Sequence, residues 1–153
     1  MVEEIFTDLT PLAEKSGITL ELVGDGVMTG SDALIYRMIF NLTENAIKYN
    51  RPDGSVQVCI TQEPEKLLIL VSDTGRGIPE EYQQSIFQPF FRVDKSRSRT
   101  FGGAGLGLAL VWEIAALHGG SVRVAESSDS GTTIAAELPR SGNHAAASKN
   151  ETL

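Results

Sequence analysis

Apolar positions recur at two different periods along this chain, and the switches between them divide it into elements. Ile5, Leu9 and Leu12 fall on one side of a helix over 3–16, with Gly17 just past its end. Residues 18–23 alternate as a strand does, and turn-prone Gly24-Asp25-Gly26 follows. A longer helix starts at Ser31 or Asp32, either of which can cap it, and runs to about Asn50. Its stripe of Ile35, Ile39, Leu42 and Ala46 must face a core. After the turn Arg51-Pro52-Asp53-Gly54, strands over 55–62 and 66–72 form a hairpin through Glu63-Pro64-Glu65-Lys66. Residues 80–87 read as a short helix, and 88–106 have little periodicity but much Gly, Arg and Ser. The segment 107–118 is helical and stops at Gly119-Gly120, and strands over 121–126 and 132–138 flank Ser130-Gly131. The polar, alanine-rich tail after Pro139 reads as disordered.

Helices and strands therefore mix without strict βαβ alternation, which predicts an α+β fold, a two-layer α/β sandwich, over a doubly wound sheet. The domain order is a leading helix over 1–17, a folded unit over 18–140 and a tail over 141–153. At 153 residues the chain is long enough to bury one core, and an apolar share of 41% argues against wholesale disorder. A net charge of −7 argues against general nucleic-acid or anionic-membrane binding, so local basic clusters stand out. The single cysteine, Cys59, excludes an internal disulfide and a cysteine metal cluster, and its alternating context makes it structural. No apolar run approaches membrane-spanning length and the N-terminus is acidic, so neither a spanning helix nor a signal peptide is expected. Cytosolic exposure is the default.

Candidate chemistry sits at four places. Asn41, Asn45 and Lys48 share one sector of the long helix at about 100° per residue, nearly opposite the apolar stripe. A solvated polar face is the plain alternative, but mid-helix asparagines are poor helix formers. An Asn carbonyl with triphosphate oxygens suits Mg²⁺, Lys48 can offset phosphate charge, and Tyr49 can pack beside a nucleotide. Asp73 ends an apolar strand and enters Thr74-Gly75-Arg76-Gly77-Ile78-Pro79. A carboxylate there accepts from an amine such as that of adenine, Gly75 and Gly77 admit close backbone approach, and Ile78 can cover the ring. A β-turn using these residues for shape alone is the bland alternative. Gly102, Gly103, Gly105 and Gly107 directly precede a helix, where backbone N–H groups and the helix dipole bind phosphate. Nothing matches a standard P-loop or the protein-kinase motif pair. Arg92, Lys95, Arg97 and Arg99 put four cations in an eight-residue stretch, suited to a lid that orders over a triphosphate. Phe87, Phe90 and Phe91 would anchor its near end.

In this order the segments Asn41-Leu-Thr-Glu-Asn45-Ala-Ile-Lys48-Tyr49, Asp73-Thr-Gly-Arg-Gly-Ile-Pro79, Ile86-Phe-Gln-Pro-Phe-Phe-Arg92-Val-Asp-Lys95 and Gly103-Ala-Gly-Leu-Gly-Leu108 resemble the N, G1, F and G2 boxes of a bacterial sensor histidine kinase. Gly131-Thr132-Thr133 is similar to the G3 element that completes the adenine pocket. The resemblance covers about residues 18–139 and implies the Bergerat ATP-binding fold, a mixed sheet with helices on one face and a mobile ATP lid over 88–103. It implies ATP and Mg²⁺ as cofactors, with Asn45 as the metal ligand and Asp73 as the adenine acceptor. The implied ATP site further takes in Asn41, Lys48, Tyr49, Gly75, Gly77, Ile78, Arg92, Lys95, Gly103, Gly105, Leu106, Gly107, Leu108 and Thr133. Asn41, Lys48 and Arg92 are the candidate catalytic residues.

Gyrase-type ATPases and anti-sigma serine kinases carry a glutamate general base where this chain has Asn41, which cannot take a proton at neutral pH. A neutral histidine is already a competent nucleophile, so transfer to histidine needs that base less. Only His118 and His144 are present, and neither has the context of a phospho-acceptor. His118 reads as a helix C-terminal cap and His144 lies in the tail. The chain thus resembles a catalytic domain separated from its dimerisation hairpin, with residues 1–16 either the end of that hairpin or the domain's own first helix. The implied partners are that phospho-acceptor domain and a response-regulator receiver domain. The isolated domain would be a monomer, from a homodimeric, membrane-anchored parent. A serine kinase of the anti-sigma type and an ATP-sensing module without transfer are the competing functions.

Overall fold

The computed structural model describes residues 1–89, 106–141 and 149–152. Helix α1 spans Val2–Lys15, strand β1 Thr19–Gly24, β2 Val27–Gly30, helix α2 Asp32–Lys48, β3 Ser55–Gln62 and β4 Lys66–Asp73. Two short 3₁₀ turns at Glu80–Tyr82 and Ser85–Phe87 follow, then helix α3 at Leu106–Leu117, β5 at Ser121–Ser128, β6 at Gly131–Pro139 and β7 at Lys149–Thr152.

Five strands form one mixed sheet in the order β1-β3-β4-β6-β5. β1 runs parallel to β3 because α2 carries the chain back between them, and the other pairs are antiparallel. Alternation along the strands turns Val56, Val58, Ile60, Leu67, Ile69, Val71, Ile134, Ala136 and Leu138 to one face. That face meets Ile35, Met38, Ile39, Leu42 and Ala46 of α2 and Val111, Ile114 and Ala115 of α3 in a single core. Ser31 starts α2: its hydroxyl accepts the Leu34 N–H at 3.3 Å. Helix α1 belongs to the same core through Val2, Ile5, Leu9 and Ala13. It is held on α2 by the Tyr36 hydroxyl, which donates to the Asp8 carboxylate and is pushed up to about 12 chiefly by that bond.

Three local expectations change. Strand β2 is unannounced in the sequence, because four residues carry too short an alternation to signal it. Its backbone is fixed instead by tertiary partners. Val27 N–H donates to the Gln62 side chain at 2.8 Å, Thr29 N–H to the Arg140 carbonyl at 2.8 Å, and Arg140 Nε to the Val27 carbonyl at 3.0 Å. The short helix expected over 80–87 is two 3₁₀ turns, in keeping with a segment only two turns long that begins directly after Pro79. In the tail, read as disordered over 141–153, residues 149–152 pair antiparallel with β2. An edge strand offers unpaired backbone to any nearby extended segment, whatever its side chains. Residues 142–148 and 153 lie outside the described residues.

Candidate functional site

The end of α2 and the end of β4 meet at one pole of the sheet. Asn41, Asn45 and Lys48 are half-buried on the face of α2 away from its core stripe. Lys48 pairs with Glu44 at 3.6 Å, so this lysine must exchange a carboxylate for a phosphate to serve as expected. The pairing also holds Glu44 toward Lys48, one turn on along the helix. Tyr49 caps α2 and is 40% exposed, enough to offer its ring to a ligand.

Asp73 closes β4 beside its ladder partner Thr132 on β6. Its Oδ1 accepts the Gly75 N–H at 2.9 Å and the Thr132 N–H at 3.2 Å. The hydrogen bonds given to Asp73 by the described residues therefore both fall on one oxygen. Burial pushes the Asp73 carboxyl up from its ordinary value, and the two backbone donors only partly oppose that shift. Gly75 packs so closely on α2 that a Cβ there would lie 2.6 Å from the Tyr49 carbonyl. Gly77 has a φ of 82°, and a Cβ on it would run into the Ser128 carbonyl. Ile78 rests on the core edge, with its N–H donating to Ser127 Oγ at 2.7 Å.

The structure thus sets Gly75 against Tyr49 at the end of α2, the helix whose last turns carry Asn41, Asn45 and Lys48, and it carries Asp73, Gly77 and Ile78 on β4 and the loop after it. Asp73 takes the backbone N–H of Thr132, while the Thr133 hydroxyl is shared with Ser72 at 2.8 Å. Thr132 belongs to the Gly131-Thr132-Thr133 element singled out in the sequence, and its hydroxyl shares a hydrogen bond of 2.8 Å with Ser127, which the sequence did not single out. The expected phosphate loop ends in α3, whose first turn contains Leu106 and Gly107, and Leu108 packs against the core. Arg92, Lys95, Gly103 and Gly105 lie outside the described residues. So do Phe90 and Phe91, whereas Phe87 is buried and its ring lies 5.6 Å from that of Trp112 on α3.

Residues 30–142 match the family described as histidine kinase-, DNA gyrase B-, and HSP90-like ATPase. The chain belongs to this family. Its relatives place it among the ATP-binding catalytic domains of sensor histidine kinases. Sensor histidine kinase RppB of Synechocystis is 38% identical over 116 residues, 76% of this chain and 26% of that protein. SenX3 of Mycolicibacterium smegmatis is 40% identical over 110 residues, 72% of this chain and 29% of that protein. The chain thus spans about a quarter of the length of these curated relatives. Among solved structures, the catalytic domain of histidine kinase ThkA superposes with a TM-score of 0.79 at 25% identity, covering 92% of both chains. ThkA is also known in complex with the response regulator protein TrrA.

Proposed function

We propose that this catalytic domain binds Mg²⁺·ATP between α2 and the Asp73 loop and presents the γ-phosphate to a histidine on a separate dimerisation domain. The observation that carries this is the Asp73 carboxylate, half-buried and pinned through Oδ1 by two backbone donors, one of them Gly75, which packs on the end of α2. Its other oxygen accepts the exocyclic amine of adenine, with Ile78 and Tyr49 beside the base.

Among the described residues no three His, Cys, Asp or Glu side chains gather into a metal cage. A single amide oxygen from Asn45, completed by phosphate oxygens and water, is a donor set that suits Mg²⁺. When bound, the ion neutralises charge on the transferring phosphoryl group. Lys48, once released from Glu44, adds a second cation, and Arg92 and Lys95 are assigned the same task from sequence. Backbone N–H groups of Gly103, Gly105 and Gly107 are assigned to the phosphates from sequence. The acceptor imidazole nitrogen bonds to the γ-phosphorus, the bond to the β-phosphate oxygen breaks, ADP leaves, and the imidazole N–H proton passes to solvent. Asn41 takes no proton, so water and serine hydroxyls are left unactivated at this position. The domain's contribution is orientation and charge neutralisation.

On this reading the phosphoryl group passes on to an aspartate of a response regulator. The domain is a cytoplasmic monomer in isolation, and its parent is a homodimer anchored in the inner or plasma membrane. Calorimetric titration with Mg²⁺·ATP tests the site. Micromolar-to-millimolar binding with little phosphate release, abolished in Asp73→Asn, supports it. No binding removes the site assignment, and brisk hydrolysis moves the domain toward the ATPase branch of its family.

A further inference from the structure

A closed ring of hydrogen bonds joins the exit of α2 to the Asp73 loop. Thr74 Oγ1 donates to Asn50 Oδ1 at 2.9 Å and accepts from Ser55 N–H at 2.9 Å. Asn50 Nδ2 closes the ring by donating to the Ser55 carbonyl at 2.8 Å, and Asn50 Oδ1 also accepts the Arg51 N–H at 2.8 Å. The threonine hydroxyl has its donor and an acceptor position committed, and the asparagine amide is held at both ends. Two glycines pack close against the ring. A Cβ on Gly54 would collide with both Asn50 Oδ1 and Thr74 Oγ1, and one on Gly75 would lie 3.1 Å from Asp73 Oδ1. The Arg51 guanidinium extends the tie to the Asp129 carbonyl at the β5–β6 turn.

Position gives the ring its consequence. Thr74 is bonded directly to Asp73, and Asn50 stands two residues past Lys48. The ring therefore sets the Asp73 carboxylate relative to the α2 face that carries Asn45 and Lys48. It is built from side chains whose removal leaves the core untouched, since Asn50 and Thr74 both lie outside it.

We infer that Asn50 and Thr74 are positioning residues for base selection: they aim the Asp73 carboxylate so that the nucleotide is read through its exocyclic amine. This rests on the assignment of Asp73 as the adenine acceptor. The test compares Mg²⁺·ATP with Mg²⁺·purine riboside triphosphate, which lacks only that amine. Binding is measured by calorimetry on the whole chain and on Asn50→Ala, Thr74→Val and Thr74→Ser. A hydrogen bond to a charged acceptor gives the unaltered chain a preference for ATP of about tenfold or more. Asn50→Ala and Thr74→Val bring that ratio toward unity, while Thr74→Ser, which keeps the hydroxyl, retains it. If Asn50→Ala and Thr74→Val weaken both nucleotides equally, the ring is structural only and the inference fails. If the unaltered chain shows no preference, the assignment of Asp73 fails and the inference with it. Thr74→Val is nearly isosteric, so the comparison survives even if Asn50→Ala does not fold.

Discussion

Nε2 of His118 accepts the backbone N–H of Ser31 at 3.2 Å, and because that nitrogen accepts, Nδ1 carries the proton given to the Ile114 carbonyl at 2.9 Å. The imidazole is fully buried and links the last turn of α3 to the cap of α2. Gly30 allows the approach, since a Cβ there would lie 2.9 Å from the ring. The helix-end role expected for His118 is therefore half of what it does.

Replacing His118 with Leu leaves the part-buried Ser31 N–H without this acceptor. The expected cost is about 1–3 kcal/mol, seen as a lower midpoint in urea with an unchanged slope. The nucleotide face of α2 is at the other end of the helix, so Mg²⁺·ATP affinity measured well below the transition stays within about twofold, a change of under half a kcal/mol. Undiminished stability would show that the linkage contributes nothing.

Asp73→Asn should separate stability from function. The asparagine carbonyl can still accept from Gly75 and Thr132, while the buried charge disappears. Because the folded carboxyl is raised, its stabilising contribution is full when it is protonated and is lost as pH rises through its folded value. Asp73→Asn is thus expected to be at least as stable as the native chain at pH ~7, an advantage that shrinks as pH falls below the raised folded value. Thermal melts of both proteins across acid to neutral pH read this difference directly. A variant markedly less stable at neutral pH would mean that ionised Asp73 holds the loop.

Gly77→Ala probes loop shape rather than charge. The left-handed φ of 82° costs a non-glycine residue about 1–2 kcal/mol, and the new Cβ meets the Ser128 carbonyl. The loop must shift away from β5, breaking the Ile78 bond to Ser127, so ATP affinity should fall at least tenfold, about 1.4 kcal/mol. Equal affinity in calorimetry would show that Gly77 is dispensable for the site.

What was legible in the sequence tracks how local the cause is. The stripe Ile35, Ile39, Leu42, Ala46 announced α2, and alternation announced the five sheet strands, because burial imposes those periods directly. Asp73 and its glycines were legible because close backbone approach restricts the residue type. β2 was not, since its partners, Arg140 and Gln62, are distant in sequence and bond through groups without a period. Likewise Asn50 and Thr74 look like ordinary turn residues until the fold sets them in one ring.

Trp112 is the single tryptophan of the chain and packs on Phe87 with an interplanar angle of 38°. Phe87 stands at the threshold of the segment assigned as the ATP lid, and Trp112 is 50% exposed, so its emission responds to both water and the neighbouring ring. If the segment after Phe87 closes over a bound nucleotide, the surroundings of the indole change. Saturating Mg²⁺·ATP should therefore shift the intensity or wavelength of Trp112 fluorescence, with a midpoint matching the calorimetric Kd. Phe87→Leu keeps an apolar anchor but removes the ring contact, so the spectral change should shrink by more than the affinity does. Binding that saturates in calorimetry with no change at Trp112 would show that nucleotide-linked motion does not reach the Phe87 anchor.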